Sequence, residues 1–98
     1  MPSQRLTRRL EDLQRRIERA RESARILDEQ LAVWTEAFEE ARLRSLMSET
    51  PQSDHELADI RRHYDVARRE RERRGLEIDQ MVQERDRLLR EWTPKEVL

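Results

Sequence analysis

The sequence contains no cysteine, one glycine, three prolines and four aromatic residues among 98. The lack of cysteine excludes a disulfide framework, a thiolate metal ligand and a cysteine nucleophile. With only 35% apolar residues the chain has too few apolar side chains to form a conventional globular core. No apolar run approaches the ~20 residues of a membrane span, and the amino terminus lacks the apolar segment of a signal peptide. We therefore expect a cytoplasmic protein that does not bind a membrane.

Charged residues make up 44% of the chain, and they nearly cancel to a formal charge of −1. Such a composition is typical either of long solvated helices or of disordered chains, and periodicity distinguishes the two. The near-neutral balance gives no overall attraction for nucleic acid or for an anionic membrane surface. The composition thus disfavours nucleic acid as a partner.

Apolar residues recur at alternating spacings of four and three in both halves of the chain. This a/d pattern predicts a coiled-coil helix over residues 4–47, a turn over 48–53, a second helix over 54–92 and a short tail over 93–98. The first seam consists of Leu6, Leu10, Leu13, Ile17, Ala20, Ala24, Leu27, Leu31, Trp34, Phe38 and Ala41. The second consists of Leu57, Ile60, Tyr64, Ala67, Ile78, Met81, Leu88 and Trp92.

The turn contains two competing start signals for the second helix. Ser53 and Glu56 have capping-box spacing, and Thr50 with Pro51 is a start signal one turn earlier. A link this short favours antiparallel neighbours. The sequence therefore predicts an all-α fold with one domain, a two-helix antiparallel coiled-coil hairpin.

The sizes of the seam residues support this pairing. In the antiparallel register Trp34 faces Ala67, Ala20 faces Met81, and Leu13 faces Leu88. In the first two pairs a large side chain opposes a small one, which fills the space between the helices.

Several apolar residues lie outside the first seam, where one partner helix does not cover them. We interpret them as a surface that packs on a second copy, giving a homodimer or larger helical bundle, or on another protein. The alternative is scattered surface aliphatics, which are common. The candidate interface residues are Ile26, Val33, Ala37, Leu43 and Met47.

Three arginines, Arg71, Arg74 and Arg85, interrupt the second seam. A buried arginine without a partner is strongly unfavourable. We expect these side chains to extend towards solvent, with Asp28 and Glu18 within reach as partners.

One group of residues has the spacing of metal ligands. His55, Asp59 and His63 are four residues apart, which places them along one side of a helix. Imidazole and carboxylate groups suit zinc or iron, but helix-start residues with this spacing are usually solvated. We predict no metal and no other cofactor.

Acidic residues cluster around the turn, with no lysine or arginine between Glu49 and Arg61; they are Glu49, Asp54, Glu56 and Asp59. A coiled-coil hairpin with an acidic tip is similar in form to the factors that enter the secondary channel of RNA polymerase. This similarity suggests, as an alternative function, a regulator that binds the transcription machinery through the tip.

The arginine-rich run at residues 68–74, together with Arg61 and Arg62, is a candidate phosphate-binding surface. Asp65, Glu70 and Glu72 dilute its positive charge. Nucleic-acid binding is therefore the second alternative. The preferred hypothesis is a non-enzymatic protein-protein interaction or scaffold module, because no nucleophile and base occur at a meaningful spacing.

Overall fold

The computed structural model describes residues 4–92, and within them the chain forms two α helices. Helix α1 spans Gln4–Ser48 and helix α2 spans Pro51–Trp92. Side chains of the two helices bond to each other along the chain, as between Asp28 and Arg71 at 2.6 Å. The fold is an all-α helical hairpin, as predicted. The predicted tail over 93–98 lies outside the described residues.

The turn is shorter than predicted, because α2 begins three residues before the predicted start. Only Glu49 and Thr50 separate the helices, instead of residues 48–53. The earlier start signal decides the boundary: the backbone N–H of Ser53 donates to Thr50 Oγ1 at 3.1 Å. Thr50 thereby caps the helix, and Pro51 occupies the first helical position, where a missing N–H has no cost.

The end of α1 is fixed by a residue in the left-handed region. Glu49 has a φ of 49°, and its N–H donates to the carbonyl oxygen of Ser45 at 3.1 Å. This bond satisfies one of the last carbonyl groups of α1 and reverses the chain direction. Where a helix ends with a left-handed residue, that residue is usually glycine, because a side chain disfavours positive φ.

Contacts divide the described residues into two units, to which both helices contribute. The terminal unit consists of residues 4–23 and 74–92, and the turn unit consists of residues 24–73. The core of the terminal unit is formed by Leu13, Ile17 and Leu88, with exposures of 6%, 0% and 2%. Leu13 and Leu88 belong to the same cluster, in agreement with the predicted register. The partly buried side chains around it are Leu6, Leu10, Met81 and Val82.

The packing of the turn unit differs, because small side chains are buried in it and the stacked rings beside them are partly buried or, at His63, exposed. The side chains buried within it are Ala24, Ala41 and Ala67. Trp34 stacks on His63, with ring centroids 4.6 Å apart and an interplanar angle of 8°. His63 lies one helical turn before Ala67, the predicted partner of Trp34.

A second stack joins Phe38 to Tyr64 at 5.5 Å and 20°. Small residues let the helices approach, and each stacked pair adds about 0.5–1.5 kcal/mol beyond the burial of its area.

Candidate interaction surface

The apolar residues expected outside the seam of α1 are accessible. Ile26 is 44% exposed and Val33 is 64% exposed, whereas Ala37 is partly buried. Near the turn, Leu43 and Met47 are 59% and 77% exposed. That these residues form an interface stays a prediction.

Heptad positions show which of these residues share a side of the helix. With Leu31 and Phe38 at a and Trp34 at d, Ile26 and Val33 occupy c, and Ala37 occupies g. Position g borders the a/d seam, and position c lies next to g on the same side. We call the residues at positions c, f and g on this side of the helix the α1 surface; they are Ile26, Glu29, Val33, Glu36 and Ala37.

Charge on the α1 surface is of one sign. Between Ile26 and Ala41, α1 has five acidic residues and no basic one; the acidic residues are Asp28, Glu29, Glu36, Glu39 and Glu40. Val33 lies between Glu29, four residues before it, and Glu36, three residues after it, so all three share one face. No ion pair within residues 4–92 involves Glu36, whereas Glu29 pairs with Arg25 at 2.5 Å.

Helix α2 has a corresponding strip with the opposite charge. Val66 occupies position c of α2 and is 62% exposed. Arg62 lies four residues before it and Arg69 three residues after it. Residues 58–73 contain six arginines and four acidic residues. We call Arg62, Val66 and Arg69 the α2 surface.

A bond between the helices shows that the two surfaces lie on the same side of the hairpin. Arg44 and Glu56 both occupy position g, and Arg44 Nη2 donates to Glu56 Oε1 at 2.7 Å. The g rows of an antiparallel pair therefore meet here along one edge of the seam. Since c lies next to g in each helix, Val33 and Val66 are on that same side.

Two further contacts place Val33 and Val66 at the same level of the turn unit. Asp28 bonds to Arg71, and Trp34 stacks on His63. Val33 lies between Asp28 and Trp34 in α1, and Val66 lies between His63 and Arg71 in α2. The turn unit thus presents an acidic apolar strip beside a basic apolar strip.

The α2 surface was not predicted from the sequence. Arg62 and Arg69 were considered only as part of a candidate phosphate-binding surface, and Val66 was not assigned a heptad position. In the sequence, this surface could have been recognised from an apolar residue at position c with arginines four residues before it and three residues after it.

The predicted tip residues bond mainly to nearby side chains. Asp54 Oδ1 accepts from Ser45 Oγ at 2.6 Å, and Glu56 accepts from Arg44. Asp59 pairs with Arg62, and Glu49 is exposed. Much of the acidic charge at the turn therefore stabilises the hairpin or the start of α2, where the helix dipole also favours it.

The arginine-rich run forms carboxylate pairs. The pairs are Arg68–Glu72 at 2.8 Å, Arg71–Asp28 at 2.6 Å, Arg73–Glu70 at 3.3 Å and Arg74–Glu77 at 3.0 Å. A surface with its guanidinium groups paired in this way offers less positive charge to phosphates.

The prediction for the seam arginines is confirmed for Arg71, which binds Asp28. For Arg85 the predicted partner was wrong: it donates to Gln14 at 3.1 Å and to Asp86 at 3.2 Å, not to Glu18.

The residues with metal-ligand spacing do not form one cluster. His55 Nε2 lies 3.6 Å from Asp59 Oδ2, while the ring of His63 stacks on Trp34. In the part of the chain that the structure describes, no group of three histidine or acidic residues is arranged to hold a metal ion.

An open groove of about 640 Å³ lies in the terminal unit. Its apolar lining comes from Leu10, Leu89 and Trp92, and Trp92 Nε1 donates to Thr7 Oγ1 at 3.2 Å. Its charged lining consists of two acidic residues and two arginines, Glu11, Arg15, Glu18 and Arg85. The groove is therefore lined by equal numbers of acidic and basic side chains.

No protein-family model, curated protein or solved structure matches this chain. None of the helices in residues 4–92 is long and apolar enough to cross a membrane. A functional proposal therefore depends on the surface chemistry of the chain itself.

Proposed function

We propose that this protein is a non-enzymatic protein-protein interaction module that associates with a second copy of itself. The observation that supports the proposal is the contrast within the turn unit between its interior and its surface. Its buried side chains are alanines, whereas Ile26 and Val33 are 44% and 64% exposed on one side of α1. The larger aliphatic groups are thus available for a partner.

Energetics favour such an arrangement. In the described residues, the large side chains that are fully buried are Ile17 and Leu88, both in the terminal unit. A two-helix unit with a small apolar core is marginally stable, because helices depend on packing against neighbours. Covering Ile26 and Val33 would contribute about 25 cal/mol for each Å² of apolar surface removed from water.

A second copy would cover the exposed aliphatic side chains, because the turn unit would gain two neighbouring helices. Two hairpins packed face to face form a four-helix bundle, and two-fold symmetry makes each contact occur twice. The bundle also explains why apolar residues recur outside the a/d seam of a helix that already has one partner.

The proposal is tested by placing charge on the α1 surface. The variant Ile26→Glu with Val33→Glu puts four additional carboxylates into a dimer interface and leaves the a/d seam unchanged. We expect light scattering to show a dimer or larger for the parent protein and a monomer for this variant, with helical circular dichroism in both.

A matched control carries the same charge elsewhere. Ala32 and Leu46 are exposed and occupy position b, on the flank of α1 opposite to positions c and g, so Ala32→Glu with Leu46→Glu should remain associated. A parent protein that is monomeric at high micromolar concentration would exclude self-association.

The two alternative functions have less support. Binding of the transcription machinery through the tip would require Glu56 and Asp54, whose bonds to Arg44 and Ser45 join the two helices. Nucleic-acid binding would depend on the six arginines of residues 58–73, among which four acidic residues lower the positive charge offered to phosphates. Copurification of polymerase, or retention on DNA or RNA that is lost with salt, would favour the first or the second of these functions.

A further inference from the structure

We infer that α1 of each copy packs on α2 of the second copy, with the acidic α1 surface against the basic α2 surface. This inference rests on the proposed self-association and specifies its geometry. Two hairpins can meet face to face with two-fold symmetry in two ways. In one, α1 packs on α1 and α2 on α2; in the other, α1 packs on α2 twice.

Pairing of α1 with α1 is disfavoured by charge. An antiparallel pair centred between Val33 and Ala37 would place Glu36 beside Glu36 of the second copy. Glu29 of each copy would lie along the same edge of this helix pair as Glu36. Between Ile26 and Ala41, α1 has no basic residue to neutralise these negative charges. Like charges in contact across an interface are unfavourable and oppose association.

Pairing of α1 with α2 brings opposite charges together. Rotation by half a turn about an axis parallel to the helices places α1 of one copy over α2 of the other in antiparallel orientation. Val33 then meets Val66 of the second copy, because these residues are at the same level and on the same side of the turn unit. Every helix has antiparallel neighbours in this arrangement, as in an up-down-up-down bundle.

The charged neighbours of the two valines become complementary in this register. In an antiparallel pair, Glu36, which follows Val33, lies beside Arg62, which precedes Val66. Glu29, which precedes Val33, lies beside Arg69, which follows Val66. Both contacts occur twice in a symmetric dimer.

The ion pairs that these residues form within one copy do not prevent them from pairing with the second copy. Glu29 pairs with Arg25, Arg62 pairs with Asp59, and the Nε of Arg69 donates to a carbonyl oxygen of its own helix. The side chains of Glu29 and Arg62 are 64% and 74% exposed. Exposed pairs within one helix are weak, so a pair that loses solvent in an interface can replace them.

Charge reversal distinguishes the two arrangements. The acid-reversed variant carries Glu29→Arg and Glu36→Arg, and the base-reversed variant carries Arg62→Glu and Arg69→Glu. If α1 packs on α2, each variant alone should associate at least tenfold more weakly than the parent in sedimentation equilibrium at low salt. An equimolar mixture of the two variants should form a heterodimer, and all four substitutions in one chain should restore the homodimer.

Engineered cysteines provide a second measurement, because the chain has no cysteine of its own. A mixture of Val33→Cys and Val66→Cys chains should form a disulfide-linked heterodimer under oxidation. A strong Val33→Cys homodimer with no heterodimer would overturn the inference in favour of α1 on α1.

Failure of this inference differs from failure of the proposed function. If the parent is a dimer that Ile26→Glu with Val33→Glu dissociates, but single charge reversals have no effect and the four-substitution chain associates no better, only the α1-on-α2 geometry is overturned. If the parent is a monomer, the proposed function and this inference both fail.

Discussion

Thr50 and Ser53 exchange hydrogen bonds across the first turn of α2. The N–H of Ser53 donates to Thr50 Oγ1 at 3.1 Å, and the N–H of Thr50 donates to Ser53 Oγ at 3.3 Å. This is the reciprocal pattern of a capping box, with serine in the place that glutamate or glutamine usually takes. The two side chains satisfy backbone groups that the helix leaves without partners.

Replacing Thr50 with valine should therefore destabilise the hairpin. The substitution keeps the shape of the side chain but removes the cap, which costs about 0.5–2 kcal/mol. Urea unfolding at a fixed protein concentration measures the change. Thr35→Val is the matched control, because Thr35 Oγ1 bonds to the carbonyl oxygen of Leu31 inside α1. Equal effects of the two substitutions would contradict a specific capping role for Thr50.

Glu49 provides a prediction of the opposite sign. Its φ of 49° is unfavourable for a residue with a side chain by about 1–2 kcal/mol, so Glu49→Gly should stabilise the protein by up to that amount. Glu49→Val should destabilise it, because a β-branched residue tolerates positive φ poorly. Thermal unfolding of both variants checks this order. A glycine variant less stable than the parent would show that the carboxylate of Glu49 matters more than its backbone.

The helices could be predicted from the a/d spacing, and their antiparallel pairing from the short link and the sizes of the seam residues. Leu13 and Leu88 recur in register with the a/d repeat, and they share a core cluster. The start of α2 could not be predicted to the residue because Thr50 and Ser53 both carry capping signals, and the bond from the Ser53 N–H to Thr50 Oγ1 shows which one is used. The stacking of Trp34 on His63 was not predicted, since the large indole contacts a residue beside the seam and not within it.

Of the candidate interface, the sequence indicated the part on α1 and not the part on α2. The exposed row of α1 follows from its seven- and four-residue spacing, which placed Ile26 and Val33 outside the seam. The corresponding row of α2 requires knowledge of which sides of two antiparallel helices face the same way. The Arg44–Glu56 bond shows which sides face the same way. Val66 and its flanking arginines can then be placed on the same side of the hairpin as Val33.

Ile17 should be the most sensitive position of the terminal unit. It is 0% exposed and packs with Leu13 and Leu88, so Ile17→Ala leaves a cavity and should cost about 2–5 kcal/mol. Leu46→Ala is the control, because Leu46 is 67% exposed and its truncation should change stability by about 0.5 kcal/mol or less. Denaturant unfolding at constant protein concentration separates this effect from association. Similar costs at the two positions would contradict the core assignment.

Glu84 should make the stability of the terminal unit depend on pH. The hydrogen bond from Arg87 lowers the pKa of Glu84 below its ordinary value of 4.5, burial opposes this effect, and the positive charges of Arg87 and Arg9 support it. Arg87 Nη2 and Arg9 Nη2 lie 2.7 and 2.8 Å from Glu84 Oε1.

A carboxylate with a lowered folded-state pKa stabilises the protein above its unfolded-state pKa, and this stability is lost as the pH falls through the folded-state pKa. The parent should therefore be more stable than Glu84→Gln at neutral pH, and the difference should begin to decrease near the ordinary value of 4.5 and disappear at lower pH. Urea unfolding of both proteins from about pH 7 to about pH 3 tests this. Glu39→Gln serves as the control, because no ion pair within residues 4–92 involves Glu39. A constant difference between parent and Glu84→Gln across this range would mean that the side chain contributes through packing and not through its charge.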